Sequence, residues 1–120
     1  MAPMTTLREQ LRDRMRTAMR ERDRSAVSLY RTTLAAIDNA EAPPVVDRRA
    51  AGAIEEASVG VGSTDEDRLE LTEAEVAAVV RREATERRTA AETVGMPEAD
   101  RIRLMGEAGS LEALVDPLQP

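Results

Sequence analysis

The chain contains no cysteine, no histidine, no lysine, no phenylalanine and no tryptophan. Each gap removes a chemistry. Without cysteine there is neither a disulfide staple nor a thiolate nucleophile, which fits a reducing compartment. Without histidine and lysine the usual general base and Schiff-base amine are missing, so Ser-His-Asp, Cys-His and Ser-Lys arrangements cannot be built. Zinc sites with nitrogen or sulfur ligands are excluded, as is a Walker-type phosphate loop, which needs its lysine. Aromatics make up 1% of the chain, and Tyr30 is the single ring. The core must therefore be built from Leu, Val, Ala, Met and Ile, which suit closely packed helices better than a sandwich of aromatic and β-branched strands. No apolar run is long enough to cross a bilayer, and none follows the first charges as in a signal peptide. The expectation is a cytoplasmic protein with no membrane contact.

What is present is one modest domain: 120 residues, 42% hydrophobic and 33% charged, enough for a single core. The net charge is −6, unevenly spread. Residues 1–24 hold seven arginines against four acids, whereas residues 38–75 hold three against eleven. All 17 basic residues are arginine. An acidic chain does not attract nucleic acid over its whole surface, so any RNA contact must be local.

Periodicity predicts four helices. The first runs from about Thr6 to Arg22, with Leu7, Leu11, Met15 and Met19 in one row, joined by Met4 and Ala18, giving one buried face. Arg8, Arg12, Arg16 and Arg20 form the next row. Glu9 three before Arg12, and Asp13 three before Arg16, read as surface pairs, while the arginine row also admits an RNA-binding reading. After a sharp corner, with Asp23 or Ser25 as cap, the second helix follows Ala26, Tyr30, Thr33, Leu34, Ile37 and Glu41 to its end before Pro43, antiparallel to the first. Residues 42–70 form an inserted linker: a short helix over 47–57 behind Asp47, then a flexible acidic loop over 58–70. Thr72-Glu73-Ala74-Glu75 is a capping box that starts the third helix, whose stripe is Val76, Val80, Ala84, Ala91 and Val94 before Gly95. Pro97 opens the fourth, with Leu104, Ala108, Leu111 and Val115 in its row and Gly106 and Gly109 weakening it. Asp116-Pro117 stops it, and residues 116–120 form an irregular tail. The fold class is all-α: a compact four-helix domain, an antiparallel hairpin plus two further helices.

Gly60-Val61-Gly62-Ser63 has the look of a phosphate-cradling turn, but it lacks the flanking strand and helix and is followed by Asp65-Glu66-Asp67, so a hinge is the better reading. Those acids do not have calcium-loop spacing. The anomaly is in the third helix. Glu83 and Arg87 fall within roughly 20° of the centre of the Val76–Val94 stripe, at four-residue spacing. Either they are a half-buried ion pair fixing register, or Arg87 lies at the floor of a groove and meets a carboxylate or phosphate. No cofactor is called for.

The order of these features resembles the GatB/YqeY family. The stretches that carry it are Ala18-Met19-Arg20-Glu21-Arg22-Asp23, then Arg31 with Leu34-Ala35-Ala36-Ile37-Asp38-Asn39-Ala40-Glu41, then Leu71-Thr72-Glu73-Ala74-Glu75-Val76, then Glu86-Arg87-Arg88-Thr89-Ala90-Ala91-Glu92. The resemblance implies a helical protein related to the tail region of the glutamine-dependent tRNA amidotransferase. It also implies association with tRNA or with that amidotransferase, and carbon–nitrogen ligase activity with glutamine as amido-nitrogen donor. It singles out Asp23, Arg31, Asn39, Arg87 and Arg88 as candidate binding residues, to which the stripe argument adds Glu83. Residues 43–64 depart from the family pattern as an insertion, and the second small helical domain of longer relatives is missing. The functional expectation is a binding module acting through protein or tRNA, not a catalyst. The alternative is a helical domain that self-associates or binds other proteins without a link to tRNA.

Overall fold

Capping decides where the helices begin. In the computed structural model, which describes residues 5–42 and 69–116, Thr6 accepts the Glu9 N–H at 3.1 Å, and the Glu9 carboxylate accepts the Thr6 N–H at 3.0 Å. Thr72 and Glu75 repeat the arrangement. Each box satisfies two donors that a helix start leaves orphaned. The described residues form four helices and no strand: α1 Leu7–Arg20, α2 Arg24–Glu41, α3 Glu73–Ala91 and α4 Glu98–Val115. The all-α class holds. The helix expected over 47–57, most of the loop expected over 58–70, Met4 and the tail past Asp116 lie outside the described residues.

The α1–α2 corner closes on a hydrogen-bonded stop. The Arg22 N–H donates to the Met19 carbonyl and the Asp23 N–H to the Ala18 carbonyl, with Arg22 in the left-handed region at φ 58°. That pattern terminates a helix and reverses the chain. Glycine usually holds this position, because a Cβ there is strained. Of the two caps expected for α2, Asp23 is the one used: its carboxylate accepts the Ala26 N–H at 3.0 Å. The α3–α4 turn uses Gly95 at φ 86°, as a glycine after the last helical turn should.

The helices form two antiparallel hairpins, α1–α2 and α3–α4, joined mainly through α2 and α3. Between them lies one core of Leu7, Leu11, Leu29, Tyr30, Ile37, Val76, Val79, Val80, Ala84, Ala108, Leu111 and Leu114. Burying each leucine or isoleucine stabilises by about 1.5–3 kcal/mol. Thr33, fully buried, turns its hydroxyl to the Leu29 carbonyl at 2.8 Å, so that hydroxyl is not stranded.

Two expected burials are overturned. Met19 is 55% exposed and Val94 98% exposed. A four-residue repeat advances about 40° per step, so by Met19 the row has rotated about 120° from Leu7. Ala18, only about 20° from Leu7, takes the buried place and is 4% exposed. Helix α3 ends at Ala91, which leaves Val94 in the turn. In α4, Leu104 and Val115 are only half-buried, and Leu114, outside the expected row, is 5% exposed. Helix α1 also stops at Arg20, two residues short of expectation.

A polar joint closes the open end. The Arg8 guanidinium contacts the Glu41 carboxylate at 2.7 Å and the Asp38 carboxylate at 3.2 Å. The Glu41 carbonyl accepts the Leu69 N–H at 2.8 Å, and its carboxylate the Leu71 N–H at 3.4 Å. The chain thus returns to Glu41 after residues 43–68. The Glu73 carboxylate accepts the Leu7 N–H at 2.5 Å, so one anion lies at the positive N-terminal ends of both α1 and α3.

Candidate functional site

The charged gap in α3 is a seam between helices. Arg87 Nη1 donates to the Glu83 carboxylate at 3.1 Å and to its carbonyl at 3.0 Å. Arg87 Nε lies 3.4 Å from the Glu107 carboxylate of α4, yet it is buried without a hydrogen bond of its own. Side-chain exposure is 16% for Arg87, 12% for Glu83 and 15% for Glu107. The second Glu107 oxygen reaches Arg103 Nη1 at 3.5 Å. Two arginines and two glutamates make a neutral quartet, which is how half-buried charge is tolerated. Glu83 therefore has a second helix opposite it, and Arg87 is held from both sides.

Arg88, one position round, has its own partner. Its Nε and Nη2 both lie 2.6 Å from the two oxygens of Glu112, the bidentate geometry that guanidinium and carboxylate favour. The hydrogen bonds from Arg88 hold the Glu112 carboxyl below its ordinary range, against partial desolvation and the nearby Asp116 charge. The same pair raises Arg88 further. Arg81 adds a bond to Asp116 at 2.9 Å. All three interhelical arginines of this seam come from α3, and their acids from α4 or, for Asp116, the residue that ends it.

Sequence reasoning placed Glu83 and Arg87 correctly on the stripe and missed Glu107 and Glu112. The signal for Glu107 was its place seven residues before Leu114 and four before Leu111, on the α4 side that faces α3. It also missed the Arg8–Glu41 pair, although Glu41 falls in the apolar period of α2. An acid in that row calls for a cation opposite. Of the expected surface pairs on α1, Asp13–Arg16 forms at 3.3 Å, whereas Glu9 turns instead to cap Thr6.

The remaining candidates sit elsewhere. Asp23 is occupied as the α2 cap. Asn39 is exposed near the end of α2, where its carbonyl accepts the Ala42 N–H at 3.2 Å. Arg31 is exposed and shares an open groove at the α1–α2 corner with Met19, Arg22, Arg24, Val27 and Ser28. The structure brings Glu83, Arg87 and Arg88 together along one seam and places Asp23 and Arg31 on the α1–α2 corner. Among the described residues no group of three acids is placed to hold a metal ion, and no helix is long and apolar enough to cross a membrane. No family model, curated protein or solved structure matches the chain.

Proposed function

We propose that the chain is a helical binding module of the GatB/YqeY type, linked to tRNA-dependent amidotransferase chemistry through a protein or tRNA partner. The observation that carries this is the ordered set of four sequence stretches, two on the α1–α2 hairpin and two on α3 with its cap. A chain without histidine, cysteine or lysine suits binding better than amide transfer. Because Glu83, Arg87 and Arg88 are engaged between α3 and α4, the residues of the set best placed to meet a partner are those of the α1–α2 corner. The test is affinity capture on the immobilised full chain from an extract rich in tRNA, read by mass spectrometry and RNA sequencing. Enrichment of an amidotransferase subunit or of tRNA over an unrelated acidic helical bait is the expected result. Enrichment of neither retires the reading.

A second reading is self-association through α4, favoured by the exposure of Ile102 at 62% and Met105 at 42%. Sedimentation across a range of concentrations separates the two, since a monomer throughout removes the second.

A further inference from the structure

We propose that the groove at the α1–α2 corner docks an acidic peptide segment carrying one aliphatic anchor residue, an inference that rests on reading the chain as a binding module. Arg24, Val27, Ser28 and Arg31 lie at helical spacings of three, four and seven, which sets them on one side of α2. Met19 and Arg22, from the end of α1, complete a groove of about 540 Å³. Arg22 belongs to this wall because its left-handed backbone turns the chain back there.

The described arginines divide into those that meet an acid and those that do not. Arg8, Arg16, Arg81, Arg87, Arg88, Arg101 and Arg103 each meet a carboxylate. Among the described residues Arg22, Arg24 and Arg31 meet none, as do Arg12, Arg14, Arg20 and Arg82, but at the corner three such arginines line one groove together with Met19 and Val27. Of the two acids at the corner, Asp23 is occupied by the Ala26 N–H, which leaves Glu21. Three free guanidinium groups thus surround an apolar floor made by Met19, 55% exposed, and half-buried Val27. Guanidinium groups bind carboxylates through paired N–H donors, and the floor gives an aliphatic side chain a place out of water.

A nucleic-acid strand fits the same groove less well. Its phosphates would meet the arginines, but Met19 and Val27 would gain nothing from them. Base stacking needs exposed rings, and the single ring, Tyr30, is 7% exposed in the core. The net charge of −6 also opposes a continuous polyanion more than a few spaced carboxylates.

The test is fluorescence anisotropy on the full chain at low salt, with three labelled probes: a short glutamate-rich peptide with one leucine, the same peptide with serine for leucine, and a uridine oligonucleotide of equal charge. The leucine peptide is expected to bind best. The Arg24→Gln/Arg31→Gln double variant should weaken it by about tenfold, as two exposed charge pairs are removed. Met19→Gln, at an exposed position, should weaken the leucine peptide by about fivefold and leave the serine peptide unchanged. Circular dichroism confirms that the variants fold. Tighter binding of the oligonucleotide, insensitive to Met19→Gln, overturns the proposal in favour of a phosphate site. A dimer that dissociates in the same variants overturns it in favour of a second copy. Binding of no probe overturns it outright, while capture of tRNA or an amidotransferase by the wild-type chain is scored separately and decides the module reading.

Discussion

The two hairpins use arginine in opposite ways. In α3–α4 the interhelical arginines each find an acid on the facing helix or at its end, as Arg87–Glu107, Arg88–Glu112 and Arg81–Asp116. In α1–α2 most arginines face water, and only Arg8 is drawn into a joint, by Glu41 and Asp38. The helix-surface spacing of the arginines is similar in both hairpins. What differs is whether the partner helix presents carboxylates at the same level. An arginine row is therefore neither a binding face nor a scaffold until its opposite face is known. That is why the residues with the most conspicuous pattern, Glu83 and Arg87, turn out engaged within the fold, and the plainer Arg24 and Arg31 remain free.

The largest effect should come from the core that both hairpins share. Leu11→Ala in α1 and Leu111→Ala in α4, both fully buried, should each cost about 3 kcal/mol. Urea melts followed by far-UV circular dichroism should keep one transition in both variants. Two separated transitions in Leu111→Ala would break the comparison, making the hairpins independent units.

Next is the seam. Arg87→Ala leaves Glu83 and Glu107 facing each other without their shared cation, and should cost about 2 kcal/mol. Glu83→Gln with Arg87→Met alone should recover only part of the loss, because Glu107 then keeps only its longer contact to Arg103, at 3.5 Å. Adding Glu107→Gln should recover most of the loss. If the double variant recovers as fully as the triple, the interhelical arm of the seam contributes nothing.

How far this was legible follows from what each feature depends on. The Thr72–Glu75 capping box, the Asp23 cap and the Gly95 stop are local in sequence and were readable as such. So was the charged centre of α3, which needs only helix geometry. The Thr6–Glu9 box was equally local, and was passed over because Glu9 also sits three residues before Arg12. Met19 was placed in the buried row by reading a four-residue repeat as a straight line, when it winds about the helix. Glu107 and Glu112 could not be assigned to Arg87 and Arg88 without knowing which faces of α3 and α4 meet, and that is a property of the packing. The corner groove needs two helix ends and a positive-φ arginine between them, and nothing in the sequence marks Arg22 for that conformation.

A smaller, stabilising effect belongs to α4. An added Cβ at Gly106 or Gly109 meets nothing within 4 Å. Gly106→Ala and Gly109→Ala should therefore each stabilise by roughly 0.5–1 kcal/mol through helix propensity alone. A thermal shift upward in both checks this. A loss at either position that grows with protein concentration would mean that this face of α4 is covered by a second copy, which would sharpen the self-association reading.

The smallest effect is the pH dependence of the outer seam pair, because Arg88 and Glu112 are each 39% exposed and such pairs are screened by solvent. Glu112 is held below its ordinary value of 4.5 by two hydrogen bonds from Arg88. The folded chain therefore binds fewer protons at this group than the unfolded chain does in the window between the two values. Its contribution is present in full above about pH 4.5 and is lost as the pH falls through the folded-state value. Arg88 is shifted upward, so its side of the pair stays charged throughout that range. Glu112→Gln should lower stability by a constant amount at neutral pH, and the gap between wild type and variant should close on acidification below about 4.5. Comparing the two chains cancels the other carboxylates, which titrate in both. Concentrated salt should narrow the same gap at neutral pH. Stability curves that stay parallel down to the acid limit would mean that the bidentate contact contributes no stability, and the α3–α4 seam would then rest on Arg87 and its two glutamates alone.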